Sequence, residues 1–480
     1  MVLYKLTCRS IVWMYLVGVA TQVLAESTWP QFRGVNGSAR AADGPSLPEE
    51  VGPDKNVVWK IALPPGHSSP VIYGDRICLT AVRGDELLTL ALDRRTGNTV
   101  WEAAAPHDKL EAIHRIGSHA QSTPATDGEH VVSFFGSSGL VCYDAAGQEI
   151  WLHRMGPFKN DFGAGSSPII VDDRVILCQD HDTDSFLAAY DKRTGELCWK
   201  TDRSEFARNY RTPVVWQIAG QKQIVVAATL RVVGYDLETG SRLWTVRGVS
   251  RTVCATPVVG DDGVLYVAGW SAGGDADDRI SVGPFAEAAA EYDANQDGGL
   301  EESELPEGAI RQRFPQVDRD KDGRISREEY EYFRNLFDES RNVVLAILPG
   351  ATGDATDTHV KWQSTRHVPF CASPVYDRGH IFTVKDGGIF CSLDAVSGKI
   401  MKTGRLHGTK NYYASPVAGD GKLYLVDEEG ELSVVSSEAR WRLLSSADFG
   451  ENVYSTPALA DGRLYLRTTG HLYCFGQESL

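Results

Sequence analysis

Several signatures are missing from this 480-residue chain, and each absence removes a class of function. It contains no His-Glu-x-x-His, no Gly-x-Ser-x-Gly and no Gly-x-x-x-x-Gly-Lys-Ser/Thr, which removes the readily legible metalloprotease, esterase and nucleotide-hydrolase sites. Cys-x-x-Cys, adjacent Cys-Cys and Cys-x-x-Cys-His are absent as well. Basic residues are outnumbered, 48 Lys and Arg against 64 Asp and Glu, for a net charge of -16. A chain this acidic, with no basic stripe, is not built for nucleic acid. Beyond the first 25 residues no apolar run reaches the roughly 18 residues of a membrane span.

What is present begins with an export signature. Lys5 and Arg9 precede an apolar run from Ile11 to Ala20, and Val23-Leu24-Ala25 offers a small-residue cleavage site, so residues 1–25 read as a signal peptide. No cysteine follows the run in a lipobox-like setting, so the expected product is exported to the periplasm or beyond without a lipid anchor. Acidity is concentrated between Ser271 and Ser340, where 19 Asp and Glu face 8 Lys and Arg.

Ser/Thr-Pro occurs at Ser69, Thr123, Ser167, Thr212, Thr256, Ser373, Ser415 and Thr456. Successive intervals are 54, 44, 45, 44, 117, 42 and 41 residues, so a repeat of roughly 40 to 45 residues is interrupted once. Three repeats end in ALDRRTGNTVW, AYDKRTGELCW and GYDLETGSRLW, each with Asp eight residues before Trp. Gly takes the positive-φ position of the turn and Asp caps its backbone. About four short strands per repeat predict an all-β, eight-bladed β-propeller. Trp59, Trp101, Trp151, Trp199, Trp244, Trp362 and Trp441 recur at closing positions and are expected to pack between blades. Trp59 precedes the first complete repeat, and the last unit, Tyr454 to Phe475, lacks a closing strand. The N-terminal strand is therefore expected to close the ring and remove its exposed edges. Eight cysteines follow the signal; Cys142, Cys391 and Cys474 hold one equivalent place in separate repeats, which favours buried thiols over a disulfide framework.

The Ala-x-Asp-x-x-Thr-Gly-x-x-x-Trp endings resemble the repeat of the pyrroloquinoline-quinone-like (BamB-like) β-propellers, and Trp29-Pro30-Gln31-Phe32-Arg33-Gly34 is similar to the start of many exported propellers of that kind. The resemblance implies either a non-catalytic binding or scaffold protein, BamB-like, or a quinone-dependent (PQQ-type) dehydrogenase. The adjacent-cysteine disulfide and haem-attachment motif of the quinoprotein dehydrogenases are missing, and no catalytic residue is assigned, so the non-catalytic reading is preferred and pyrroloquinoline quinone is not expected. A protein or cell-envelope partner is implied instead.

The long interval holds two dodecapeptides. DANQDGGLEESE places Asp293, Asn295 and Asp297 at positions 1, 3 and 5, the Gly299 carbonyl at 7 and Glu304 at 12. DRDKDGRISREE repeats this with Asp318, Asp320, Asp322, the Arg324 carbonyl and Glu329. Calcium takes six to eight oxygens, and this spacing supplies three side chains, one carbonyl and a bidentate Glu, the EF-hand pattern, so two Ca2+ ions are expected. Leu300 and Ile325 stand at position 8, where paired loops bridge, and Ile310, Phe314, Val317, Phe333, Leu336 and Phe337 fall at helical spacing. Only the 13 residues Leu305 to Val317 separate the loops, too few for two helices and a linker. Calcium is thus expected to fold and stiffen the insert, at affinities of about 10⁻⁴ to 10⁻³ M. The expected organisation is a signal peptide (1–25), an N-terminal extension (26–55), blades one to five (56–270), an α-helical EF-hand pair inserted in blade five (271–341), and the remaining blades (342–480).

Residues preceding each Ser/Thr-Pro are expected to ring one mouth of the channel, among them His67, Gln121, Tyr210, Arg211, Tyr413 and Tyr454; such a funnel could bind a planar or anionic ligand, but a polar, hydrated mouth is the preferred reading. His181, within Asp180-His181-Asp182-Thr183-Asp184, could ligate a metal, but the preferred reading is a solvated inter-strand loop.

Overall fold

Eight sheets built on antiparallel meanders surround one axis, and the Ser/Thr-Pro repeat shows what joins them. The computed structural model describes residues 28–477 other than 182, 183, 276 and 278, so the expected signal peptide lies outside the described residues. In every blade the Ser or Thr hydroxyl accepts the backbone N–H of its counterpart one blade earlier. Ser69 N–H donates to Thr123 Oγ1 at 2.9 Å, Thr123 to Ser167, Ser167 to Thr212 at 3.1 Å, and Thr212 to Thr256. Thr256 continues to Ser373 at 2.9 Å, Ser373 to Ser415, Ser415 to Thr456, and Thr456 N–H returns to Ser69 Oγ at 3.0 Å. The result is a closed ring of eight bonds around the channel. Proline follows in each case because the strand is entered where no ladder N–H is needed.

Blade one comprises Val71–Tyr73, Arg76–Arg83, Glu86–Asp93 and Thr99–Ala105. Blades two, three, six and seven repeat that meander, and blade four adds to it a short parallel edge strand, Gly353–Asp354. Blade eight takes Ala458–Ala460, Arg463–Arg467 and His471–Phe475 from the C-terminus and Val57–Ala62 from the N-terminus, with Trp59 opposite Cys474. The expected closure is realised. Outermost strands alternate half-buried and exposed residues because one side faces solvent, as in Val57–Ala62, whereas inner strands such as His130–Phe134 are buried throughout.

Tryptophan and glycine link the blades at the outer rim. The indole N–H of Trp59, Trp101, Trp151, Trp199 and Trp362 donates at 2.9 to 3.2 Å to a turn carbonyl of the following blade, those of Arg94, Ala145, Lys192, Leu237 and Ala395. Each of these carbonyls follows the turn Asp, whose carboxylate caps the turn: Asp191 Oδ1 accepts Arg193 and Thr194 N–H at 2.9 Å. The turn glycine then lies flat on the ring. A Cβ at Gly195, φ 74°, would stand 2.7 Å from the Trp151 indole. Two tryptophans depart from this scheme. Trp244 donates within its own blade to Gln223 at 2.8 Å, and Trp441 packs back on Phe390 of blade six at 4.9 Å between centroids.

The N-terminal segment is a plug across one end of the channel. Trp29 pairs with Ile72 of blade one, Asn36 exchanges two hydrogen bonds with Val215 of blade four, and Ala41 bonds Ala418 of blade seven. Arg33, fully buried, donates to the carbonyls of Thr256 and Pro374. Burial lowers its pKa to about 9.

In blade five, Leu265–Gly269 pairs with Val343–Ile347, Gly269 opposite Val343, so residues 270–342 leave and return at one rung of the ladder. Asn342 accepts Ser271 N–H at 2.8 Å and donates to the Ser271 carbonyl, pinning both ends of the excursion.

Candidate calcium centre and channel pocket

The excursion folds around a core of its own. Helices α1 (Phe285–Tyr292), α2 (Phe314–Val317) and α3 (Arg327–Glu339) bury Phe285, Leu300, Phe314, Val317, Ile325 and Phe333 together. The two loops are back to back. Leu300 pairs with Ile325 and Glu301 with Arg324 in a two-residue ladder, as position 8 led one to expect.

Both loops are tied in the same way. Glu304 accepts Ala294 N–H at 3.0 Å and Glu301 N–H at 2.9 Å, so its carboxylate reaches back across loop one. Glu329 accepts Arg319 N–H at 2.6 Å and Ser326 N–H at 2.9 Å across loop two. Ser326 and Glu329 also form the capping box that starts α3. Gly298 and Gly323, at φ 86° and 88°, donate to the position 1 carboxylates of Asp293 and Asp318, each at 3.1 Å. In loop two, carboxylate oxygens of Asp318, Asp320 and Asp322 lie within 4.8 Å of one another. The Oδ1 atom of Asp318 is buried and accepts no hydrogen bond, a costly state for a carboxylate oxygen unless a cation is its partner. An all-oxygen cluster with one stranded lone pair fits a hard cation such as Ca2+. Loop one differs, because the Arg324 guanidinium reaches Asp297 Oδ2 at 2.9 Å and already neutralises part of its charge.

The insert rests on the mouth of the channel. Arg251 of blade five lies 4.6 Å from the Phe337 ring centroid, and its N–H donates to Ser340 at 3.1 Å. Gln316 of α2, two residues before Asp318, lines a cavity of about 410 Å³ that Phe32 of the plug also lines. His67, Gln121, Gly165, Tyr210, Cys254, Cys371, Tyr413 and Tyr454 complete the ring, each two residues before its Ser or Thr. Arg208, Arg251, Phe162 and Phe370 add cationic and aromatic surface. His67 stacks on Tyr454 at 4.2 Å, and burial, with Arg467 nearby, lowers its pKa to about 4, so it is neutral at pH 7. Burial pushes the Tyr413 hydroxyl up to about 12.

Three expectations need correction. Arg211 is not at the mouth. It stands one residue, not two, before its Thr, and strand alternation turns it between blades, where it pairs with Asp180 at 2.6 Å. Asp180 also binds Arg203 at 2.8 Å, and all three side chains are fully buried. Burial opposes ionisation of Asp180, but the two guanidiniums override it and hold the carboxyl below its ordinary range. His181 is not solvated: it is 1% exposed and stacks on Phe158 at 4.4 Å. The thiols are not uniformly buried either. Cys78, Cys142, Cys178, Cys391 and Cys474 are buried as expected, but Cys198 is exposed and Cys254 and Cys371 face the channel.

These features define an eight-bladed β-propeller carrying an EF-hand insert. The chain belongs to the family described as outer membrane protein assembly factor BamB, whose model matches residues 51–159, 90–276 and 351–471. An EF-hand model matches residues 310–333, loop two with the helices either side. No curated protein sequence matches the chain. Among solved structures, BamB from Moraxella catarrhalis is similar at TM-score 0.55 and 13% identity, over 88% of this chain and 99% of that one. The quinohemoprotein alcohol dehydrogenase from Comamonas testosteroni is similar at TM-score 0.56 and 13% identity, over 94% and 81%. A europium-containing methanol dehydrogenase gives TM-score 0.51 at 10% identity, over 94% and 98%. At these identities the likeness is one of fold.

Proposed function

We propose that this chain is an exported calcium-binding β-propeller that works by binding a protein or cell-envelope partner, as a scaffold, and not by catalysis. The seating of the insert carries this reading: loop two, with its stranded Asp318 oxygen, continues directly from the short helix that places Gln316 in the channel wall. In this reading one Ca2+ is held by Asp318, Asp320, Asp322, Glu329 and the Arg324 carbonyl, and a second by Asp293, Asn295, Asp297, Glu304 and the Gly299 carbonyl. The ions neutralise clustered carboxylates and stiffen the cap over the channel. Loop one binds more weakly, because its ion competes with Arg324 for Asp297. The family's namesake, an assembly factor for outer membrane proteins, supports a protein partner. Calorimetry with calcium on the wild type and on Glu304→Ala/Glu329→Ala tests the metal assignment; equal heats would remove it. Capture from envelope extract with calcium, lost in chelator, tests the scaffold role.

A quinone-dependent dehydrogenase is the competing reading, favoured by one observation: the aromatic cavity with Arg208 and Arg251 in its wall suits a planar anion. Mixing the protein with pyrroloquinoline quinone and calcium separates the two. Bound absorbance with dye reduction would overturn the scaffold proposal.

A further inference from the structure

Cys254 and Cys371 are far apart in sequence but occupy one equivalent place in neighbouring blades, two residues before Thr256 and Ser373. Blades converge toward the axis, so equivalent residues approach each other most closely on the innermost strands. The bond from Thr256 N–H to Ser373 Oγ, 2.9 Å, sets the register just beyond the two cysteines. Both thiols line the same channel cavity, at the same level of adjacent blades. The other residues at this place in the ring are His67, Gln121, Gly165 and three tyrosines, so blades five and six alone contribute sulfur. Five of the remaining thiols are packed inside sheets, and Cys198 is exposed.

We propose that Cys254 and Cys371 form a reversible dithiol that oxidises to a disulfide joining blades five and six in the wall of the channel pocket. The oxidant is a small organic disulfide or a thiol–disulfide exchange protein. The neighbouring Cys254 side chain, reinforced by burial, pushes the Cys371 thiol up, so Cys371 keeps its proton until it acts as the second nucleophile. As the thiolate, Cys254 attacks one sulfur of the oxidant and expels the other half as a thiol. Cys371 then loses its proton and attacks the Cys254 sulfur of the mixed disulfide, releasing the second half. Two protein thiols are oxidised, one external disulfide is reduced to two thiols, and both protons leave with them. The whole EF-hand insert lies inside the covalent loop so closed. Oxidation therefore fixes the separation between blade five, which carries the insert, and blade six.

The test uses the folded full-length mature chain, treated with oxidised 2-mercaptoethanol, alkylated and mapped by mass spectrometry. A cross-linked peptide pair containing Cys254 and Cys371, lighter by two hydrogens and lost on treatment with dithiothreitol, is expected, while exposed Cys198 gives a mixed disulfide with the reagent. Cys254→Ser and Cys371→Ser should each abolish the cross-link, and Cys371→Ser should leave Cys254 as a stable mixed disulfide. Recovery of both wild-type cysteines as free thiols once Cys198 has been consumed, or as two separate mixed disulfides, would overturn the proposal. The cross-link is read on the wild type, so the outcome stands even where a serine variant folds poorly.

Discussion

Thr212 offers a direct measure of what the hydroxyl ring contributes. Thr212→Val keeps the β-branched shape and removes the hydroxyl that accepts Ser167 N–H at 3.1 Å. Ser167 and Thr212 are 2% and 3% exposed, so water cannot take over as acceptor. The cavity contribution is negligible because the volumes match, leaving the desolvation cost of one stranded donor, about 1–3 kcal/mol. An unfolding entropy of about 2.1 cal/mol/K per residue over roughly 450 residues turns that into a fall in melting temperature of only about 1–3 °C. Native-state hydrogen exchange at Ser167 is the sharper assay. If the loss appears in local opening, exchange there accelerates by roughly 5- to 150-fold. Thr212→Ser restores an acceptor and should return Ser167 to near wild-type protection. Thr212→Val with unchanged exchange at Ser167 and unchanged stability would refute the view that these hydroxyls join the blades.

Other perturbations separate the remaining contributions. Gly195→Ala forces a left-handed residue, φ 74°, and a Cβ 2.7 Å from the Trp151 ring, whereas Gly84→Ala, φ 63° with nothing within 4 Å, carries only the conformational cost. The unfolding free energy should therefore fall for both, by about 1–2 kcal/mol at Gly84 and more at Gly195, read as a lower denaturant midpoint. Asp180→Asn strands Arg203 and Arg211 in the interior and should cost about 3–5 kcal/mol by urea unfolding. Because the folded-state pKa of Asp180 is depressed, its stabilisation is complete above the ordinary carboxylate range and is lost as pH falls through the folded value. His67 acts in a separate window. Its pKa falls from 6.5 to about 4 on folding, so the unfolded chain gains a proton that the native state does not, and stability declines between those values as pH drops. The decline reaches up to about 3 kcal/mol, and His67→Gln should flatten that part of a melting-temperature profile.

What the sequence makes legible is what repeats or lies close along the chain. The Ser/Thr-Pro dipeptides announce the blades, Trp59 announces the closure, and both dodecapeptides carry their oxygen donors within twelve residues. Contacts between blades are harder to read. That each Ser or Thr hydroxyl serves the preceding blade, and five of the seven closing tryptophans lie under the following blade's glycine, depends on the angle between sheets, which no single repeat encodes. The plug is opaque for the same reason: Phe32 and Arg33 are recognisable only as part of a familiar opening hexapeptide, and the carbonyls that Arg33 satisfies belong to Thr256 and Pro374. Helix α1 (Phe285–Tyr292) passes unnoticed because Pro284 at its N-cap supplies no side-chain cap. The channel wall was within reach. Strand alternation sends the residue two before each Ser or Thr toward the axis and the residue one before it between blades. That rule separates Tyr210 in the pocket from Arg211 on Asp180, and it brings Cys254 and Cys371 to the same wall although 117 positions divide them. Grouping residues by proximity to proline blurs the distinction that parity of spacing makes. In a propeller, that parity decides whether a side chain meets a ligand or the neighbouring sheet.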